Sequence, residues 1–114
     1  MTNVRATAAT VISSLINRRG SLSVSLANFS SDPEAPLLQE LCFGTCRWFY
    51  LLEYLLDELL NTPLKNKDCD VKCLLLVGLY QLRELSIPEH AVINETVKSA
   101  IDLKKPWAKD LINA

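Results

Sequence analysis

Apolar residues recur at three- and four-residue intervals through most of this chain, the spacing that gathers side chains on one face of an α-helix. Val4, Ala8, Val11, Ile12, Leu15 and Ile16 form the first such stripe, and Gly20 is placed to end that helix as a left-handed cap. Leu22, Leu26 and Phe29 predict a short second helix within 21–29; the same stretch holds the one weak hint of strand alternation, over 21–26. Asp32 followed by Pro33 has the form of an N-cap with proline in the first turn, so a third helix is expected to open there. From Leu37 to Leu60 a single stripe continues through Leu38, Leu41, Cys42, Cys46, Phe49, Leu52, Leu55, Leu56, Leu59 and Leu60. Typical helices have about 11–12 residues, and Trp48-Phe49-Tyr50 puts apolar groups all round the axis, so a break is expected near Gly44–Tyr50.

Asn61-Thr62-Pro63 closes this unit, because a residue before proline is pushed out of helical geometry. Val71, Leu74, Leu75, Gly78, Leu79, Leu82 and Leu85 then mark the most hydrophobic helix, the natural centre of a bundle. Glycine inside a helix is about 1 kcal/mol worse than alanine, so Gly78 reads as a point of close approach between helices. A further helix from Pro88 to about Lys104 is expected to bury Val92, Ile93, Val97, Ala100 and Ile101, and Pro106 opens a last one with Trp107, Leu111 and Ile112 on its stripe. The expected fold class is all-α, a helical bundle.

The 114 residues suit one domain, and 49% hydrophobic with 22% charged residues is the balance of a chain with a packed core. The most apolar stretch, Cys73–Leu82, falls well short of the roughly 20 residues that cross a bilayer, so no membrane partner is expected. The opening residues lack the continuous apolar run of a signal peptide, and a reducing cytoplasm suits the four cysteines best. Lys and Arg number 12 against 13 for Asp and Glu, a formal net charge of -1, so binding to a polyanion would have to use a local patch. Arg5, Arg18, Arg19, Arg47, Lys98, Lys104, Lys105 and Lys109 supply the candidates, with ordinary solubilising charge as the alternative. Arg5 and Lys104–Lys109 sit near the two chain ends, which often lie close together in compact domains.

Catalytic chemistry is harder to find. Cys42/Cys46 and Cys69/Cys73 are spaced i, i+4, so each pair shares a helix face. Four thiolates can bind zinc, but structural sites more often use a tight Cys-x₂-Cys turn, and cysteine among leucines behaves as a small hydrophobe. His90 stands in a predicted first turn beside Glu89, with no evident nucleophile to activate, and Glu53, Asp57, Glu58 and Glu84 read as solvated helix faces. Gly20, Gly44 and Gly78 are isolated, so there is no glycine-rich loop to cradle a phosphate or a nucleotide-like cofactor. No metal, no catalytic residue and no cofactor is expected in this chain.

Three stretches carry a resemblance. They are Gly20-Ser21-Leu22-Ser23; Leu37-Leu38-Gln39-Glu40-Leu41-Cys42-Phe43-Gly44 with Arg47 following; and Val77-Gly78-Leu79-Tyr80-Gln81-Leu82 with Ile87-Pro88-Glu89-His90-Ala91, Glu95-Thr96-Val97 and Leu111-Ile112-Asn113-Ala114. Spread over nearly the whole chain, they resemble the NusB-like family, and within it the amino-terminal domain of bacterial small-subunit ribosomal RNA cytosine methyltransferases of the RsmB (Sun/Fmu) kind. The resemblance implies a bundle of about seven helices in two subdomains. It also implies that residues 1–114 are an RNA-binding domain stopping just short of the end of its last helix, with a Rossmann-like methyltransferase domain to follow. S-adenosylmethionine and two catalytic cysteines belong to that absent domain; Thr45-Cys46-Arg47 does not match the family's Thr-Cys-Ser motif. On this reading small-subunit rRNA and the methyltransferase domain itself are the partners, and Arg5, Arg18, Arg19, Arg47, Lys104, Lys105 and Lys109 are the RNA-binding candidates. The alternative is a stand-alone antitermination or adaptor protein of the NusB type. Such proteins typically begin with an arginine-rich helix, whereas Arg5 is the lone arginine among the first 17 residues here.

Overall fold

The computed structural model describes residues 3–17 and 20–113, and these form seven α-helices, one 3-10 turn and no strand. The helices are α1 (Val4–Ile16), α2 (Leu22–Ala27), α3 (Ala35–Arg47), α4 (Phe49–Leu59), α5 (Cys69–Glu84), α6 (Glu89–Asp102) and α7 (Ala108–Ile112); the turn, Asn66–Asp68, leads directly into α5. Helix α1 starts at Asn3, whose side-chain oxygen accepts the backbone N–H groups of Arg5 and Ala6. That capped end is also tied to α6, because the Ser99 hydroxyl lies 2.7 Å from the same Asn3 oxygen. Ser21 caps α2 in the same way through the N–H of Val24.

The expected break in the long apolar stripe falls at Trp48. Its N–H still bonds the Gly44 carbonyl (3.2 Å) and its own carbonyl receives the N–H of Leu52 (2.9 Å), so the chain turns with few backbone groups left unpaired. The turn lets Leu38, Leu41 and Cys42 of α3 and Leu52 and Leu56 of α4 all reach the core. Helix α5 is the central element: it touches α1, α3, α4, α6 and the 3-10 turn, and Val71, Cys73, Leu74, Leu76 and Val77 are fully buried. Helices α1, α2 and α3 pack on one another, α4 and α6 pack on α5, and α7 packs on α6. Contacts from α1 and α3 to α5, from α1 to α6 and from α3 to α4 join the two groups around one hydrophobic core.

Several expectations need correction. Asp32 does not cap α3; its carboxylate accepts the Glu34 N–H (2.8 Å) in the preceding turn, and α3 starts later, with Pro36 in its first turn. Gly20 does have φ +88°, yet α1 ends at Ile16 with Asn17 as its cap, so the glycine belongs to the following connection. On α6, Val92 and Ala100 are buried as expected, but Ile101 is exposed, and Thr96 and Ser99 take its place. They can do so because each hydroxyl bonds a carbonyl one turn earlier, Val92 O at 2.7 Å and Glu95 O at 2.8 Å.

Gly44, not Gly78, is the glycine that close packing demands. A Cβ on Gly78 would meet Thr96 Oγ1 at 3.6 Å, ordinary contact distance, whereas one on Gly44 would overlap the Tyr80 ring. At the end of α6, Lys104 N bonds Ile101 O and Lys105 N bonds Ala100 O, both 2.9 Å. This paired pattern is the one usually closed by a left-handed glycine, but here Lys104 occupies that position with φ +61°.

Candidate functional site

The cations singled out in the sequence divide by what the fold does with them. Arg5 points inward: its Nε donates to Gln81 Oε1 (2.9 Å), its Nη1 lies 4.0 Å from Glu95 Oε2, and its side chain is only 13% exposed. Gln81 is fully buried and passes its amide N–H to the Val77 carbonyl (3.1 Å). Arg5 thus holds α1 against α5 and α6. Lys105 is equally committed, for its Nζ reaches Asp70 Oδ1 (2.7 Å), Asp68 Oδ1 (3.1 Å) and the Lys67 carbonyl (2.8 Å). Burial works against the charge of that ammonium, but the bonds to Asp70 and Asp68 outweigh it and its pKa is raised. It fastens the α6–α7 connection to the start of α5.

Arg47, Lys104 and Lys109 are exposed. None of the three makes an ion pair among the described residues, and Arg47 lies over the Trp48 ring with its Cζ 5.7 Å from the centroid. Arg18 and Arg19 lie outside the described residues. Asn3 meets Ser99 and shares a cleft with Asp102 and Leu103, so the start of α1 lies beside the last turns of α6. Lys105 sits beside Asp70 in the first turn of α5, whereas Gly44, one turn before Arg47, packs on Tyr80. Ten residues of helix, roughly 15 Å, separate those two levels of α5. The free cations therefore occupy two corners of the bundle: Lys104 and Lys109 around the α6–α7 turn, and Arg47 at the α3–α4 turn.

Nucleophilic or acid–base chemistry has little to work with. Cys42 and Cys73 are buried, Cys46 and Cys69 partly so, and all four thiols are free. Burial, helped by the nearby Cys46, pushes the Cys42 thiol up to about 12, and burial first and Cys69 second raise that of Cys73. Such thiols stay protonated and poorly nucleophilic at neutral pH. No group of three His, Cys, Asp or Glu side chains is gathered as metal ligands would be among the described residues. His90 is exposed in the first turn of α6, and Glu53 is bonded to Lys72 (2.6 Å). Between α4, α5 and α6 runs a groove lined by Leu56, Leu59, Leu75, Leu79 and Val92, apolar walls suited to burying hydrophobic surface, not to holding phosphate. No described helix is long and apolar enough to cross a membrane.

A further feature escaped the sequence reading. Phe43, Trp48, Tyr50 and Tyr54 are 50%, 39%, 84% and 56% exposed, half of the chain's aromatic residues within two turns of the α3–α4 corner. The signal was present in the spacing. Phe43 and Arg47, and likewise Tyr50 and Tyr54, are i, i+4 pairs lying on the sides of their helices opposite Leu38, Leu41 and Cys42, and Leu52 and Leu56.

Comparison with known proteins bears on the whole chain. The ribosomal RNA small subunit methyltransferase B of Pseudomonas syringae pv. tomato is 47% identical over 98% of this chain and 26% of its own length. That of Pseudomonas putida is 46% identical over 98% of this chain and 26% of its own. The probable ribosomal RNA small subunit methyltransferase B of Coxiella burnetii is 45% identical over 97% of this chain and 25% of its own. The chain thus spans about a quarter of the length of the curated relatives it matches. With α5 at the centre of the seven described helices, and with the NusB family pattern matching residues 2–114, this chain belongs to the NusB family.

Proposed function

We propose that this chain is the non-catalytic, RNA-positioning domain of a cytoplasmic small-subunit rRNA cytosine-5 methyltransferase. The observation that carries the reading is the 45–47% identity, along essentially the whole chain, to about one quarter of proteins named ribosomal RNA small subunit methyltransferase B. The buried, protonated thiols fit a part of the enzyme that leaves the chemistry elsewhere. S-adenosylmethionine would donate the methyl group in the catalytic part. The residues here do not fit that cofactor: Gly44 faces Tyr80, Gly78 faces Thr96, and neither opens a strand-to-helix turn that could hold it.

In this reading the domain contributes binding and orientation of the RNA. Lys104 supports it, because a non-glycine residue in left-handed geometry is roughly 1–2 kcal/mol less favourable than glycine would be, and the position nevertheless carries an exposed cation. Lys109, Arg47 and, beyond the described residues, Arg18 and Arg19 are the remaining phosphate contacts proposed. Arg5 and Lys105 act indirectly, by holding the helices that present the others.

Titration of a small-subunit rRNA fragment at several salt concentrations tests the proposal. Binding should weaken with salt, and the slope of log K against log salt should fall by about 0.7–0.9 for each of Lys104→Gln and Lys109→Gln if each cation displaces one counterion. If neither this chain nor the full-length protein binds the fragment in a salt-dependent manner, the proposal fails. The reading frame after Ala114 tests the alternative of a stand-alone antitermination protein: a continuing frame with a cofactor loop supports the methyltransferase, and a stop codon supports the adaptor.

A further inference from the structure

The geometry points to the exposed aromatic corner between α3 and α4 as a stacking platform for unpaired RNA bases, with Arg47 holding the adjoining phosphate or a base plane. This rests on the RNA-positioning reading above and adds to it where, and through what chemistry, bases are engaged. Water is a poor neighbour for large apolar rings, and the core has room for others: Phe49 of the same run turns inward to pack on it while Tyr50 stays out, their rings edge-to-face at 5.6 Å. Tyr50 and Tyr54 stand one turn apart on the outer side of α4, and Phe43 and Arg47 one turn apart on that of α3. Trp48 lies between the pairs at the turn itself, with the Arg47 guanidinium over its ring.

Flat aromatic faces and a guanidinium plane are what single-stranded RNA modules use, because every base has a π-face and stacking needs no particular sequence. Exposed carboxylates limit the platform at both ends, with Glu40 one turn before Phe43 on the same side of α3. Asp57 and Glu58 are exposed one turn beyond Tyr54, so a polyanion would approach from the Arg47 side and leave the corner before reaching them.

The test uses two equally long single-stranded probes, an oligoribonucleotide and an abasic ribose-phosphate oligomer with the same charge. Trp107→Phe leaves Trp48 as the sole tryptophan, so its fluorescence reports the platform. The base-bearing probe should bind more tightly than the abasic one and quench Trp48. Tyr50→Ala and Tyr54→Ala should each weaken it roughly 5- to 150-fold without changing the salt slope, since stacking releases no counterions. Tyr50→Phe and Tyr54→Phe, which keep the ring, should retain wild-type affinity. Both tyrosines are solvent-exposed, so these variants should keep the native far-UV spectrum, and Trp48, which joins two helices, is left in place. Salt-sensitive RNA binding that is indifferent to the alanine variants, or equal affinity for the abasic probe, would overturn the stacking inference while leaving the RNA reading intact. Absence of salt-sensitive binding to either probe or to rRNA would remove both.

Discussion

Replacing Gly44 by alanine sets two effects of similar size against each other. Alanine is favoured inside a helix by about 1 kcal/mol. Its methyl would, however, fall on the Cζ, Cε2 and Oη end of Tyr80, which is 5% exposed and donates its hydroxyl to Glu40 Oε1 at 2.6 Å. The ring must swing away, which adds the roughly 1–3 kcal/mol of an overpacked core and weakens a bond to a charged acceptor that contributes about 1.5 kcal/mol or more. The net expectation is a loss of about 1–3 kcal/mol, or a melting temperature lower by roughly 5–15 °C in a domain of this size. Gly78→Ala is the matched control. Its methyl would sit 3.6 Å from a Thr96 hydroxyl already bonded to Val92 O, so it should gain about 0.5–1 kcal/mol from helix propensity alone. Urea and thermal unfolding followed by far-UV circular dichroism measure both. A second cycle in a Tyr80→Leu background removes the end of the ring, and there Gly44→Ala should become neutral or stabilising. The packing argument is wrong if the two alanine variants shift stability in the same direction, or if the Gly44→Ala penalty survives in the Tyr80→Leu background.

Three other outcomes follow from particular contacts. Lys104→Gly should raise stability by about 1 kcal/mol in urea melts, because glycine adopts φ near +61° without a Cβ clash; no gain would mean that the left-handed residue carries no strain. Thr45 is fully buried and its Oγ1 has no hydrogen-bond partner, so Thr45→Val, which keeps the shape and removes the unpaired hydroxyl, should be neutral or stabilising by up to about 1 kcal/mol; a clear destabilisation would show that the hydroxyl is in fact satisfied. Raising the pH should unfold the protein progressively. The hydrogen bond to Glu40, then burial, lifts Tyr80 from 10 to about 12, and the bond to Glu53 raises Lys72. Groups that hold their protons more tightly when folded contribute fully below their unfolded pKa values and lose that contribution as the pH rises through the folded ones. The buried thiols of Cys42 and Cys73, raised from 9, follow the same rule, so stability should decline from about pH 9 towards 12, and Tyr80→Phe should flatten the part above about pH 10; an unchanged slope there in that variant would exclude Tyr80 as a source.

Much of the architecture was legible in the chain because helix periodicity is a local property. The apolar spacing of Val4–Ile16, of Val71–Leu82 and of the stripe broken at Trp48 depends only on 3.6 residues per turn and on which side chains avoid water. Proline at 63 and 88 marks boundaries for an equally local reason, and so the element order, the all-α class and the central place of α5 could be read in advance. The candidate site was much less legible. Arg5 and Arg47 look alike in sequence, yet one is turned inward by Gln81 and Glu95, 76 and 90 positions away, and the other is left in solvent beside Trp48.

Lys104 and Lys105 make the same point at adjacent positions: the Schellman turn sends one outward and the other onto Asp68 and Asp70. Gly44 and Gly78 are likewise indistinguishable as isolated helical glycines until the Tyr80 ring is placed against the first. The sequence by itself determined the helices, their apolar faces and the family, since each rests on neighbours along the chain. Which cations stay free, which glycine is indispensable and which aromatics remain in water were decided only by the tertiary structure. Those outcomes turn on partners from distant segments, and a one-dimensional pattern carries no distance between them.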